Sequence, residues 1–188
     1  MTVFALIDGN NFYVSCERIF RAGLANKPVA VLSNNDGCFI SRSNEAKELG
    51  IPMGAPLFKF KHLVEQHKVE VFSANFALYG DISARVMRSI FFMVPKLEVY
   101  SIDEAFADLT GVNDPEKLAT LIQKQILQGL GIPTCIGLAP TKTLAKIANH
   151  LAKKNPLYKG VCYLQTEEQI KAAVYGQLEI PLRSIKIT

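Results

Sequence analysis

Short apolar runs that end at a charge or a turn signal recur along the chain, and they predict β-strands. The clearest run, Val3–Ile7, ends at Asp8 and predicts a buried strand. Further strands are predicted at 28–33, 37–40, 69–72, 97–102, 105–110, 134–138 and 161–164. The second and third of these runs flank the letters NNDG, which predict a hairpin, because Asp-Gly tolerates the positive φ of a type I′ turn.

Apolar residues spaced three or four positions apart predict helices between these strands. The longest example has Leu78, Ile82, Val86 and Ile90 at every fourth position. Helices are predicted at 11–21, 43–49, 56–67, 75–92, 115–130 and 141–154, and a helical segment begins at 166.

The predicted helix at 141–154 is amphipathic. Its apolar face consists of Leu144, Ile147, Ala148 and Leu151. At about 100° per residue, the opposite face is predicted to hold Lys142, Lys146, Asn149 and Lys153. A solvated lysine face is common, so the pattern alone is compatible with an ordinary surface as well as with a phosphate-binding face.

The order of elements predicts an α+β fold. When residues 11–74 are set aside as an insertion, the remaining order is strand, helix, strand, strand, helix, strand, which is the ferredoxin-like βαββαβ unit. In such a sheet the third strand lies antiparallel between the first and the second. The end of the first strand, at Asp8, and the turn between the second and third strands, at Asp103 and Glu104, are therefore predicted to meet at one edge.

Three carboxylates at one sheet edge repel each other unless a positive group holds them. Clustered hard oxygen ligands suit Mg²⁺, which binds a few carboxylates together with water and substrate phosphates. Two such ions can activate a hydroxyl and stabilise the leaving oxygen of a phosphoryl transfer. The alternative is that Asp103 and Glu104 form an exposed acidic turn, and position alone does not decide between the two.

Composition indicates a globular chain with an uneven charge distribution. The chain has 188 residues, of which 49% are hydrophobic and 20% are charged, and its net charge is +4. Residues 1–140 hold 13 Lys and Arg against 14 Asp and Glu, whereas residues 141–188 hold 8 against 3. The basic end favours an anionic partner, although a solvated surface would give the same count.

Several classes of protein are disfavoured by the sequence. No apolar run approaches the ~20 residues of a membrane helix, and the start of the chain lacks a basic region before its apolar residues. The four cysteines are scattered without a CxxC pair, and there are three histidines, which argues against a zinc site or a disulfide framework. We therefore expect small buried thiols, a cytoplasmic location and no membrane partner.

Several motifs occur in a fixed order: DGNNFYVSCE (8–17), SNNDGC (33–38), SRSNEAKELGIPMGAP (41–56), YSIDEAF (100–106) and GLAPTKTLAKIANHLAK (137–153). In order and spacing they resemble Y-family translesion DNA polymerases, and SNNDGC resembles in particular the UmuC type, the catalytic subunit of bacterial DNA polymerase V. The resemblance extends from about residue 3 to about residue 165.

The resemblance implies a domain organisation. Residues 1–10 and 75–165 would form the catalytic palm, residues 11–74 a linking helix and a small inserted fingers subdomain, and residues 166–188 a truncated start of the thumb. The remainder of the thumb and the C-terminal DNA-gripping domain of the family would be missing.

The resemblance also implies a metal site. Asp8, Asp103 and Glu104 match the catalytic residues that bind two Mg²⁺ ions in the family, with the carbonyl of Gly9 as a further ligand. Many family members have a second acid where this chain has Asn10.

Nucleotide and DNA contacts are implied in the same way. Tyr13 matches the aromatic residue that collides with a 2′-hydroxyl, and Phe12 beside it is a nucleotide-site residue for which a core role is the simpler interpretation. The residues matching triphosphate contacts are Ser41, Asn44, Lys47 and Lys153, and those expected to bind the DNA backbone are Lys142 and Lys146. Many relatives have Tyr and Arg at the positions of Asn44 and Lys47, and Lys lacks the bidentate fork of Arg.

The function implied is error-prone translesion DNA synthesis in the SOS response, by two-Mg²⁺ nucleotidyl transfer from dNTPs on primer-template DNA. A processed UmuD-like protein and a RecA-type filament are the implied partners. Two alternatives stay open from the sequence. One is a catalytically impaired remnant that acts as a binding module for such partners, and the other is a nucleotide cyclase, since cyclases also build metal carboxylates on a ferredoxin-like palm.

Overall fold

The computed structural model describes residues 2–178 of the chain. The strands within this range are β1 (Phe4–Gly9), β2 (Val29–Leu32), β3 (Phe39–Arg42), β4 (Glu70–Ser73), β5 (Lys96–Val99), β6 (Glu104–Asp108), β7 (Thr134–Ala139) and β8 (Val161–Tyr163). The helices are α1 (Phe12–Ile19), α2 (Asn44–Glu48), α3 (Leu57–Gln66), α4 (Phe76–Phe91), α5 (Pro115–Leu130), α6 (Lys142–Lys154) and α7 (Glu167–Leu178). Each of these strands and α-helices lies where the hydrophobic pattern predicts one, with predicted bounds that differ from the observed ones by at most three residues.

The described residues form two compact units. The five-stranded unit comprises the residues up to Asp8, Met87–Ile126 and the described residues from Thr134 on, and its strand order is β5-β6-β1-β7-β8. The three-stranded unit comprises Gly9–Val86 and Leu127–Pro133, and its strand order is β3-β2-β4. Helices α4 and α5 contribute residues to both units.

The five-stranded unit confirms the predicted ferredoxin-like order. Strand β6 lies between β1 and β5 and is antiparallel to both. Strand β7 follows on the other side of β1, and β8 adds a fifth strand parallel to β7 after the crossover helix α6. The sequence predicted the strand at β8 without its place in the sheet.

Helix α6 packs so closely on the five-stranded sheet that its backbone touches a strand. A Cβ atom on Gly137 of β7 would lie 2.1 Å from the backbone nitrogen of Asn149 and 2.3 Å from the carbonyl oxygen of Ala145. Small residues on this side of α6, Ala145 and Ala148, are fully buried and complete the contact. Only glycine at position 137 permits this approach.

The prediction that Asn149 lies on the lysine face of α6 is wrong. Its side chain is 3% exposed, and its Nδ2 donates hydrogen bonds to the carbonyl oxygens of Leu6 (3.3 Å) and Cys135 (2.8 Å). A buried amide is tolerated when its polar atoms find partners, and here two strand carbonyls accept from it.

The three-stranded unit has a small core of its own. Strand β2 is buried along its whole length, antiparallel to β3 and parallel to β4. Its core consists of Ala30, Leu32, Phe39, Ala46, Ile51 and Val69. The predicted hairpin joins β2 to β3, but the type I′ turn is wrong, because the positive φ falls on Asp36 (50°) and not on Gly37.

The four cysteines lie inside the fold or at its margin. Cys16, Cys135 and Cys162 are buried, Cys38 is partly buried, and none of these four forms a disulfide, which agrees with the prediction of small packing residues. Within residues 2–178, every helix is too short or too polar to cross a lipid bilayer.

Candidate active site

The carboxylate edge of the five-stranded unit is built by a tight connection between β5 and β6. The backbone N–H groups of Tyr100 and Ser101 both donate to the carbonyl oxygen of Glu104, at 3.0 Å each. Asp103 lies in the turn, whereas Glu104 was predicted in the turn and is instead the first residue of β6, where it pairs in register with Asp8. The predicted meeting of the first strand's end with this hairpin is confirmed.

Ser101 organises this turn and was not singled out from the sequence. Its hydroxyl donates to the Oδ1 atom of Asp103 at 2.8 Å and accepts from the backbone N–H groups of Asp103 (3.3 Å) and Glu104 (3.1 Å). Serine hydroxyls commonly bond backbone N–H groups two or three residues further on in turns, so a serine at the start of the predicted hairpin was the sequence signal for this role.

Asp8 is the most perturbed carboxylate of the edge. It is 7% exposed, and burial, together with the neighbouring Glu104, raises its pKa to about 6. Lys153 opposes this shift, because its Nζ lies 2.5 Å from the Oδ2 atom of Asp8. Burial also raises the pKa of Asp103, and the charge of Asp8 adds to that rise. One lysine thus leaves this group of carboxylates short of positive charge.

The donor set fits a divalent cation, although it is not assembled as a ligand sphere. Among residues 2–178, no three His, Cys, Asp or Glu side chains are gathered closely enough to hold a metal ion. The carboxylates of Asp8, Asp103 and Glu104 are nevertheless hard oxygen donors at one sheet edge. Burial raises the pKa of Asp8 and of Asp103, so added positive charge would stabilise the ionised forms of these two.

The three predicted lysines of α6 all contact side chains within the five-stranded unit. Lys153 contacts Asp8, and Lys142 forms an ion pair with Glu98 at 2.5 Å. The Nζ atom of Lys146 lies 4.2 Å from the centre of the Tyr100 ring, a cation–π distance. Of the three lysines, only Lys153 contacts a carboxylate of the sheet edge, whereas Lys142 contacts β5 and Lys146 contacts the connection between β5 and β6.

The aromatic residues predicted for the nucleotide site begin α1 in the three-stranded unit. Phe12 is 3% exposed, and a Cβ atom on Gly9 would lie 2.9 Å from its ring, so Phe12 packs directly against the backbone at the end of β1. Tyr13 is half-buried and stacks on Tyr79, with ring centres 4.6 Å apart and an interplanar angle of 20°. Phe12 is therefore a core residue, as the simpler interpretation of the sequence predicted, whereas Tyr13 stays partly exposed.

Asn11 joins two of the three predicted phosphate-binding residues of the three-stranded unit, Asn44 and Lys47. Its Nδ2 donates to the Oδ1 atom of Asn44 at 3.0 Å, and its own Oδ1 accepts from the Nζ of Lys47 at 2.6 Å. Asn11 is the residue before α1 and has a left-handed backbone (φ 47°), which Asn adopts more readily than most residues. An asparagine directly before a predicted helix was therefore the sequence signal that could have identified Asn11. Ser41 is 5% exposed, and its hydroxyl accepts from the backbone N–H of Val14 at 3.4 Å.

Residues 7–150 match the model of the impB/mucB/samB family. The chain is 48% identical to protein ImpB of Salmonella typhimurium over 170 residues, which cover 89% of this chain and 40% of ImpB. It is 52% identical to protein UmuC of Salmonella typhimurium strain LT2 over 155 residues, 81% of this chain and 37% of UmuC. DNA polymerase IV of Oceanobacillus iheyensis is 33% identical over 86% of this chain and 39% of its own length.

Solved DNA polymerases share the fold. DinB from Sulfolobus solfataricus superposes with a TM-score of 0.79 at 26% identity, covering 88% of this chain and 49% of DinB. A Dbh ternary complex gives a TM-score of 0.77 at 27% identity, covering 88% of this chain and 48% of Dbh. The chain thus spans about two fifths of the curated relatives and about half of the solved polymerases. It belongs to the impB/mucB/samB family and has the mixed α+β fold of the N-terminal palm and fingers of Y-family DNA polymerases.

Proposed function

We propose that this chain carries the catalytic centre of template-directed nucleotidyl transfer to a DNA primer. The observation that carries the proposal is the buried Asp8, paired in register with Glu104 and bonded to Lys153 at 2.5 Å. In the reaction the primer 3′-oxygen bonds to the α-phosphorus of a dNTP, pyrophosphate leaves, and the hydroxyl proton is lost. Membership of a family whose relatives include DNA polymerases supports this assignment.

Asp8, Asp103 and Glu104, with the carbonyl of Gly9, are the residues that would hold two Mg²⁺ ions. When bound, such ions lower the pKa of the attacking hydroxyl and neutralise charge on the phosphates. The protein's own contribution includes the carboxylates of Asp8 and Asp103, whose pKa values burial raises, so that a bound cation would stabilise their ionised forms. Ser101 keeps the Asp103 carboxylate oriented through its hydroxyl.

The remaining predicted residues divide between nucleotide and DNA. Lys153 is proposed to contact the triphosphate, together with Ser41, Asn44 and Lys47, and Asn11 keeps the last two side chains together. Tyr13, on its Phe12-anchored helix, is proposed to lie beside the sugar. Lys142 and Lys146 are proposed to bind the phosphate backbone of DNA, which requires Lys142 to exchange Glu98 for a phosphate.

The cellular role that we propose is error-prone translesion synthesis during the SOS response, in the cytoplasm, with a processed UmuD-like partner and a RecA-type filament. Its support is the identity to UmuC, ImpB and MucB.

Primer extension opposite an abasic template residue, with Mg²⁺, tests the proposed reaction. We expect the wild-type chain to add nucleotides and Asp103→Ala to lose at least about a hundredfold in rate, because a ligand of the catalytic charge is removed. Glu65→Gln, which changes an exposed carboxylate on α3, is the matched control and should retain full activity. Equal extension by the wild type and Asp103→Ala would contradict the assignment.

A second candidate function is a non-catalytic binding module. The observation that favours it is that Asp8 already has a counter-ion, Lys153. A purified processed UmuD-like protein or a recombinase filament would then bind this chain equally well with and without Asp103→Ala. No binding at micromolar concentrations would exclude the module.

A further inference from the structure

A buried carboxylate in the three-stranded unit has no part in the proposed chemistry. Glu17, on α1, is 3% exposed and makes two hydrogen bonds. Its Oε1 atom accepts from the hydroxyl of Tyr79 at 2.9 Å, and its Oε2 atom accepts from the guanidinium of Arg21. Burying a carboxylate is costly unless it is paired, so these two partners hold Glu17 in one position.

The cation of this group is fixed as well. The guanidinium carbon of Arg21 lies 4.8 Å from the centre of the Phe72 ring, so Arg21 is held between a carboxylate and an aromatic face. The side chain of Arg21 is 49% exposed, whereas that of Glu17 is 4% exposed. Arg21 therefore anchors the Glu17–Arg21 pair at its solvent side. At its interior side, Glu17 accepts the hydrogen bond from the hydroxyl of Tyr79.

Tyr79 transmits this anchoring to an aromatic group. Its side chain is fully buried, and burial raises its pKa, so the hydroxyl stays a proton donor to Glu17. Its ring stacks on Tyr13, and Phe76 meets both tyrosine rings edge-on, at 5.9 Å and 6.0 Å. The ring of Tyr13 thus rests on a surface whose orientation depends on a hydrogen bond to Glu17.

The spacing of Tyr13 and Glu17 along α1 allows one residue, Tyr79, to contact both side chains. Tyr13 and Glu17 are four residues apart, so both side chains lie on one face of the helix, and Tyr79 from α4 contacts both. Neither rotation of the Tyr79 ring nor a slide of Tyr13 across it is possible without breaking the bond to Glu17 or the stack. Two aromatic rings that merely filled the core would stack without a buried carboxylate bonded to one of them.

We propose that Glu17 is a positioning residue for sugar selection, holding Tyr79 so that the ring of Tyr13 keeps the place from which it excludes a 2′-hydroxyl. The inference rests on the proposed function, in which Tyr13 lies beside the sugar of the incoming nucleotide. Exclusion by bulk is sensitive to position, because a ring that can retreat by a fraction of an ångström admits the larger substrate.

Single-nucleotide primer extension with dNTPs and with rNTPs, as kcat/KM for each, tests the role of Glu17. Tyr79→Phe removes the hydroxyl and keeps the stack, and Glu17→Leu removes the acceptor. We expect each to lower discrimination against ribonucleotides about tenfold, equivalent to ~1.4 kcal/mol between the competing transition states. Tyr13→Ala sets the full loss, and Glu17→Gln, whose amide oxygen still accepts from Tyr79, should retain most of the discrimination.

The controls separate positioning from simple loss of stability. Asp81→Asn removes a carboxylate from an exposed ion pair with Arg85 on the helix that carries Tyr79, and it should leave discrimination unchanged. The double variant Glu17→Leu/Tyr79→Phe should discriminate no less than either single variant, because both break the same bond. Unchanged discrimination in Tyr79→Phe and in Glu17→Leu would overturn the proposal, as would additive losses in the double variant.

A second measurement keeps the inference distinct from the proposed function. In chain labelled with 3-fluorotyrosine, the ¹⁹F signal of Tyr13, identified by its loss in Tyr13→Phe, should shift or broaden in both Tyr79→Phe and Glu17→Leu. Absence of any primer extension by the wild type would count against the proposed function alone. A Tyr13 signal that is unchanged in both variants would overturn the positioning role, whatever the activity.

Discussion

At the scale of single residues, Asp8 is a carboxylate whose ionised form is made unfavourable by burial. Burial and Glu104 raise its pKa, from 3.8 to about 6, against the opposing effect of Lys153. A carboxyl whose pKa is higher in the folded state stabilises the fold fully below pH 3.8, and this contribution is lost as the pH rises through 6. At neutral pH the ionised Asp8 is therefore a local cost to stability.

Replacing Asp8 by its neutral isostere should remove that cost. Without divalent metal at pH 7.5, we expect Asp8→Asn to raise the free energy of unfolding by ~2 kcal/mol. The advantage should shrink between pH 6 and pH 4, where Asp8 of the wild type takes up its proton. Urea denaturation at several pH values measures it. Glu65→Gln, an exposed substitution, should show no such trend, and a lower stability of Asp8→Asn at pH 7.5 would contradict the reasoning.

At the scale of elements, α6 decides where three of the predicted functional lysines lie. The helix is set on the sheet by the missing side chain of Gly137 and by the amide of Asn149, which bonds to carbonyls of β1 and β7. Lys153 follows Asn149 by one turn and contacts Asp8. The packing of α6 therefore fixes the distance between the lysine and the carboxylate.

Removing the amide of Asn149 should loosen this attachment. We expect Asn149→Ala to lower the free energy of unfolding by about 2–3 kcal/mol, since two buried carbonyls lose a donor and a small cavity forms. Denaturant titration measures the change, and Lys154→Ala, on the exposed side of the same helix, should stay within about 0.5 kcal/mol of the wild type. A loss below about 0.5 kcal/mol for Asn149→Ala would show that the two bonds do not hold the helix.

The elements themselves were predictable because apolar spacing reports which side of a helix or strand is buried. Asn149 was placed on the solvent face because a helical wheel assigns polar residues to solvent. The wheel contains no information about the two strand carbonyls that accept from its amide. Glu104 was misplaced by a single residue, since carboxylates rarely begin a buried strand. The partners of Glu17 were not predictable, because Tyr79 reaches it from 62 residues away in the sequence.

At the scale of the whole molecule, charge is concentrated towards one end of the sequence. Residues 141–188 hold 8 Lys and Arg against 3 Asp and Glu, and the lysines of α6 belong to this stretch. Lys142 and Lys146 have partners in the five-stranded unit, Glu98 and the Tyr100 ring. Both contacts hold an ammonium group in place, but only that of Lys142 is neutralised, by the Glu98 carboxylate.

The salt dependence of DNA binding should reveal which lysines meet phosphate. We expect Lys142→Gln and Lys146→Gln each to reduce the slope of log K against log salt by about 1, because each phosphate contact releases about one counterion. Fluorescence anisotropy with a labelled primer-template, between low and moderate salt, gives the slope. Lys171→Gln, on α7 and paired with Glu167, is the control and should leave the slope unchanged. An unaltered slope in both α6 variants would remove these lysines from the DNA interface.

The bond between Lys153 and Asp8 has a consequence for the order of events under the proposed function. The single positive charge of Lys153 would be shared between the Asp8 carboxylate and a triphosphate oxygen, so each contact weakens the hold of the ammonium group on the other. Whatever else neutralises Asp8 therefore frees Lys153, and whatever draws Lys153 away leaves Asp8 in need of another cation. The two ligands of the site are then thermodynamically linked through one shared side chain, so each raises the affinity for the other by the same factor.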